Sequence, residues 1–146
     1  MNEKNLKPAS VFYYFEEICK VPRPSKREEK IIAYLKAFGR EHGLETKTDE
    51  VGNVLIKKPA TPGKENLKTV ILQSHIDMVC EKNSDVEHDF LIDHIDTVVD
   101  GEWLKAKGTT LGADNGIGVA TELAILAATD IAVSYTHLRA HETELH

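Results

Sequence analysis

Cysteine is scarce in this chain: there are only two, Cys19 and Cys80, far apart. Such a pair makes neither a disulfide framework nor a CxxC motif for zinc or redox work. Cys19 reads as core. Cys80, without an identified activating base, reads as a small packed hydrophobe and is given no chemistry. Positive charge is also short. Eighteen Lys and Arg stand against 24 Asp and Glu, a net charge of -6, which argues against docking on nucleic acid or on anionic lipid. No apolar run approaches the roughly 20 residues of a membrane span. The opening MNEKNLKPAS lacks the basic-then-apolar pattern of a secretory signal. The expectation is a cytoplasmic protein, no membrane or nucleic-acid partner, and a small-molecule or peptide ligand. What is present is an ordinary globular balance, 41% apolar and 29% charged over 146 residues, enough for one domain with a core.

Periodicity then gives the elements. Val11 to Lys20 reads as a short helix stopped by Pro22 and Pro24. Ser25 and Glu28 have capping-box spacing ahead of a second helix through Ile31, Leu35 and Phe38, which Gly39 and Gly43 loosen. Leu44 to Asp49 alternates weakly, and Asn53 to Lys57 reads as a short strand. The run Thr69 to Ser74 is β-branched and apolar throughout, the pattern of a strand buried on both faces. After an acidic loop, Asp100-Gly101 marks a hairpin, and a glycine-rich loop from Gly108 to Gly118 opens an Ala- and Leu-rich helix through Ala128. Helices before and after a buried strand predict an α/β fold.

Two features can carry chemistry. His75-Ile76-Asp77 sits where the buried strand ends, and residues two apart on a strand share a face, so the imidazole and carboxylate project together at the edge where α/β sheets bind ligands. An imidazole suits zinc, manganese or cobalt, and a neighbouring carboxylate can orient the ring. Alone, the same spacing also describes a strand-end histidine satisfied by an acid. His94-Ile95-Asp96 repeats the spacing in an acidic stretch with no strand leading into it, and reads as solvated loop. The second feature is the loop GTTLGADNGIG from Gly108 to Gly118. It has no GK[ST], its glycines do not fit GxGxxG, and Asp114 would repel a phosphate. A carboxylate in such a loop suits a cation instead. A helix-capping Asp is the plainer alternative.

The stretches TVILQSHIDMVCEKN, from Thr69 to Asn83, and GEWLKAKGTTLGADNGIG, from Gly101 to Gly118, together resemble the Xaa-His dipeptidase branch of the M20 metallopeptidases. VPRPS from Val21 and DEVGN from Asp49 fit the same branch, so the resemblance runs from Val11 to about Asp130. It implies the N-terminal part of a phosphorylase/hydrolase-like catalytic domain and two divalent ions, zinc first with manganese or cobalt as alternatives. His75 would bind one metal, Asp114 would bridge both, and Asp77 would support His75 as a catalytic residue. It also implies a dipeptide substrate, and a homodimer of the parent formed through a domain beyond this chain. An adjacent glutamate pair, a later Asp and a late His complete the family's site and have no matching position here. Another M20 amidohydrolase, a tripeptidase or deacylase, and a non-catalytic binding fragment of the same fold are the rival readings.

Residues 1–131 are therefore expected to be peptidase domain, and 132–146 are not. VSYTHLRAHET, from Val133 to Thr143, departs from the family and is similar to the reading-frame translation of a transposase adapter used in DNA library preparation. Its His137 and His141 mimic half of HExxH, but Leu138 stands where the glutamate must be. Neither histidine is assigned a role.

Overall fold

The computed structural model describes residues 5–141. The chain order is α1 (Ala9–Cys19), α2 (Glu29–Glu41), β1 (Glu45–Thr48), β2 (Val54–Lys58), β3 (Val70–His75), β4 (Thr97–Asp100), β5 (Trp103–Ala106), α3 (Ala113–Ala127) and β6 (Thr136–His141). Four strands make a mixed sheet in the order β1-β2-β6-β3, with β3 parallel to β6 and the other neighbours antiparallel. The hairpin β4-β5 forms a separate ribbon that turns through Gly101 at φ 61°.

Register explains why the helices lie on one face of the main sheet. Val54 pairs with Ala140 and Ile56 with Leu138, while Leu138 and Ala140 pair in turn with Leu72 and Ser74. These rows share a face, because side chains alternate along a strand. Val54, Ile56, Leu138 and Ala140 are fully buried in one cluster with Phe15 and Ile18 of α1, Ile31 and Leu35 of α2, and Val119 and Leu123 of α3. The opposite face carries Leu55, Lys57, Ile71, Gln73, His137 and Arg139, and His75 falls at its end. Lys58 fastens the end of α3 to β2, donating from Nζ to the carbonyls of Ile125 (3.0 Å) and Leu126 (3.1 Å), groups a helix C-terminus leaves unpaired.

Two expectations need correction. The run from Thr69 predicts a strand buried on both faces; β3 is instead an edge strand, with Val70 46% and Ile71 64% exposed. Only β6 borders it, and among the described residues the helix layer covers one face alone. Second, Ser25 and Glu28 form no capping box. Helix α2 starts one residue past Glu28 without a side-chain cap, and Ser25 turns away towards Asp77. The stretch that resembles adapter sequence packs as the central strand β6. Thr136, Leu138 and Ala140 alternate inward and are buried, so this segment has the period-two pattern of a half-buried strand whatever its origin. Residues 142–146, the rest of that stretch, lie outside the described residues.

Candidate metal centre

Strand β3 ends at His75, so Asp77 is not on the strand. It lies in the following turn, where its buried carboxylate reaches back: His75 Nδ1 is 3.0 Å from Asp77 Oδ1. Asp114 approaches from the opposite side of the ring. Its side chain is 97% exposed, and its Oδ1 stands 2.9 Å from His75 Nε2. The structure thus brings together all three side chains that the sequence singles out. Asp114 is not a helix cap; it and Asn115 have non-helical φ and ψ at the start of α3, and the side chain that caps the turns beyond them is Asn115, whose Oδ1 accepts from the Gly118 N–H at 3.2 Å.

The chemistry of the three groups is asymmetric. The buried Asp77 carboxylate is an acceptor, so it holds a proton on Nδ1 and leaves the lone pair of the neutral ring at Nε2. That nitrogen faces the carboxylate of Asp114. Two acceptors do not rest 2.9 Å apart without a cation between them, either a proton or a metal ion. A neutral imidazole nitrogen and an exposed carboxylate are donors that zinc, manganese or cobalt accept, and the carboxylate behind the ring is the usual support of a metal-binding histidine. The donor set therefore fits a divalent metal but is incomplete. Among the described residues no group of three or more His, Cys, Asp or Glu side chains is disposed to hold one.

Sequence reasoning missed the residues that hold these groups in place. The Ser25 hydroxyl donates to Asp77 Oδ2 at 2.5 Å, so both oxygens of that carboxylate are engaged. Arg23, only 2% exposed, donates from one guanidinium nitrogen to the carbonyls of Ile76 (3.2 Å) and Asp77 (3.3 Å), and from the other to Gly112 (2.7 Å). It stitches the end of β3 to the loop that carries Asp114. The glycines make room for it, since a Cβ on Gly112 or Gly116 would come within 2.5 or 2.6 Å of that guanidinium. The signal lay in VPRPS and the glycine loop, whose prolines and glycines carry a local reading while Arg23 has none. The Thr110 hydroxyl, donating to the Val79 carbonyl at 2.8 Å, ties the same two segments again.

The remaining candidates stand apart. His94 and Asp96 are exposed on a coil segment held by its backbone, where the Ile95 N–H donates to the Cys19 carbonyl and the Asp96 carbonyl accepts from the Lys107 N–H, both at 2.9 Å. His137 and His141 lie on a strand, where four residues span roughly 13 Å, too far to share one ion. The Cys80 thiol is pushed up by burial, which makes it a poor nucleophile.

No family model matches the chain. A cytosol non-specific dipeptidase of Escherichia coli is 52% identical over 122 residues, 84% of this chain and 25% of the relative. The crystal structure of an aminoacylhistidine dipeptidase from Vibrio alginolyticus superposes with a TM-score of 0.94 at 49% identity, over 97% of this chain and 29% of that one. The chain is a relative of these dipeptidases. It spans about a quarter of the length of the curated dipeptidase it matches. A tripeptidase of Staphylococcus aureus and the aminopeptidase PepT of Bacillus cereus share the fold, each with a TM-score of 0.71 at 22% identity over 90% of this chain and 35% of theirs. The α/β expectation thus stands, as a mixed sheet with helices on one face, and it is the fold of part of a peptidase. No helix among the described residues is long and apolar enough to cross a membrane.

Proposed function

We propose that this chain supplies the first part of the metal site of an M20 metallo-dipeptidase, and that its full-length parent hydrolyses dipeptides, Xaa-His among them. The reading is supported by His75 Nε2 and Asp114 Oδ1 facing each other at 2.9 Å, with Asp77 behind the ring. Divalent metal bound there, zinc first with manganese or cobalt as alternatives, would polarise a peptide carbonyl and acidify a water. His75 and Asp114 would be ligands, Asp114 shared between two ions. Asp77 holds the ring and fixes which nitrogen is offered, Ser25 holds Asp77, and Arg23 holds the two loops together. Cytoplasmic location and a homodimer built through a domain beyond this chain belong to the same proposal. So does an adapter origin for residues 132–146, which a genomic read through Ile131 decides: a native stop codon directly after His146 would refute it.

The chain of 146 residues is itself proposed to be inactive, because catalytic zinc usually keeps three protein ligands and, among the described residues, His75 and Asp114 are the two offered. The test is to supply the purified chain with zinc, manganese or cobalt and follow cleavage of Xaa-His and other dipeptides. Background rates are expected. Chelator-sensitive turnover that disappears in Asp114→Ala would overturn this. Profiling the parent on dipeptides, tripeptides and acylated amino acids separates dipeptidase from tripeptidase or deacylase.

A further inference from the structure

Glu122 is a buried acid that the site described so far does not use. It lies on α3 and is 5% exposed, between apolar neighbours Val119, Leu123 and Leu126 that face the core. Burying a carboxyl among such groups is costly unless it is hydrogen-bonded. Its partner is Ser74, 3% exposed, whose hydroxyl donates to Glu122 Oε2 at 2.7 Å. Ser74 immediately precedes His75 on β3, and Glu122 belongs to the helix that Asp114 opens. The contact therefore joins the two elements that carry the facing donors, on the covered side of the sheet. Among the described residues β3 is the edge strand of its sheet, bordered by β6 on one side.

We propose that Glu122 and Ser74 are a positioning pair, a polar key between α3 and β3 that sets the separation of His75 Nε2 and Asp114 Oδ1. Neither touches the candidate ligands; each acts through the element it anchors. Burial pushes the Glu122 carboxyl up to about 7, with the Ser74 bond opposing the rise, so the neutral acid is accessible near neutrality and a glutamine can imitate it. Apolar side chains at both positions can fill the space without keeping the bond, and replacing both partners of a buried polar pair in that way is often neutral for stability. Positioning and stability can thus be separated. The inference rests on the metal-site reading only for its consequence in metal binding.

The experiment uses the metal-free chain, with long-range 1H–15N NMR reporting the His75 imidazole and His42 as a distant control, whose ring bonds the Phe38 carbonyl at 3.0 Å. Glu122→Leu and Ser74→Ala are expected to shift the His75 ring nitrogens and leave His42 unmoved, and the double variant to do the same with the thermal midpoint near that of the unmutated chain. Glu122→Gln should restore the His75 signals. Leu126→Ala, in the same helix, should lower the midpoint and leave His75 in place. Adding cobalt(II) should then show affinity weakened about tenfold or more in Glu122→Leu, the usual range for groups behind a ligand. An unmoved His75 in Glu122→Leu would overturn the proposal, as would His42 moving equally. Cobalt that fails to touch His75 in the unmutated chain would instead refute the metal site, and the metal-free comparison would still decide the role of Glu122.

Discussion

The chain spells His-Ile-Asp twice, and the two copies have opposite surroundings. At the first, Ile76 and Asp77 are buried, the ring lies between two carboxylates, and Ser25 and Arg23 hold the turn from behind. At the second, both polar side chains are exposed and what is tied down is backbone, the Ile95 N–H to Cys19 and the Asp96 carbonyl to Lys107. Identical spacing gives a constellation in one place and a solvated coil in the other. Ligand geometry comes from what buries and braces the motif, because an exposed side chain spends its time in several rotamers. The sharpest way to break this contrast is in the full-length parent. His75→Ala or Asp114→Ala should reduce dipeptide hydrolysis to background and weaken metal binding, whereas His94→Ala should change neither. A His94→Ala variant as damaged as His75→Ala would mean that the bracing has no bearing on function.

Glycines extend the contrast to stability. Gly112 has φ +79° and a Cβ there would stand 2.5 Å from the Arg23 guanidinium and 2.9 Å from the Met78 sulfur; Gly101, at φ +61°, has open space around it. Gly112→Ala should therefore cost about 2–4 kcal/mol, from backbone strain and overpacking together. Gly101→Ala carries the strain alone and should cost about 1 kcal/mol. Chemical denaturation of both variants reads the difference, and equal midpoints would remove Arg23 as the brace. A smaller effect is expected one step back from the ligands. Asp77→Asn keeps the shape but loses the charge behind the ring, and should weaken metal affinity about 10–100-fold, while Asp96→Asn should leave it unchanged.

Much of this was readable in the residues. Helical spacing located α1 and α2, the β-branched run located β3, Asp100-Gly101 located the hairpin, and the two motifs gave His75, Asp77 and Asp114. The bracing was not legible. Ser25 stands 52 positions from Asp77, and Arg23 stands 89 from Gly112; no local pattern encodes such a contact, and Ser25 even offered a false local partner in Glu28. The exposure of β3 was equally hidden, since a run such as Val70 to Leu72 records what a strand can bury and not which neighbours are there to cover it. The strand β6 was missed because the motifs that carry the sequence resemblance stop at about Asp130, although its alternation was there to see.

The smallest effect concerns the charge state of Glu122, the acid that joins β3 to α3 behind the first copy of the motif. Its carboxyl is raised from 4.5 to about 7, with burial the main cause and the Ser74 hydrogen bond the opposing one. Between those values the folded chain holds a proton that the unfolded chain has lost. Stability must then fall as pH rises through that window, because the unfolded state binds fewer protons. Below about 4.5 the contribution is level, and above about 7 the loss is complete. A raised carboxyl pKa of this kind is worth on the order of 1–3 kcal/mol. Glu122→Gln cannot ionise and should lose none of it. Other acids titrate in both proteins, so the quantity to measure is the difference in unfolding free energy between the variant and the unmutated chain from about pH 4 to about pH 8, a range that brackets both states of the acid. That difference should grow in favour of the glutamine variant towards neutral pH and then level off. A flat difference would show that Glu122 ionises in the folded chain as readily as in water, and that its bond to Ser74 carries no buried proton.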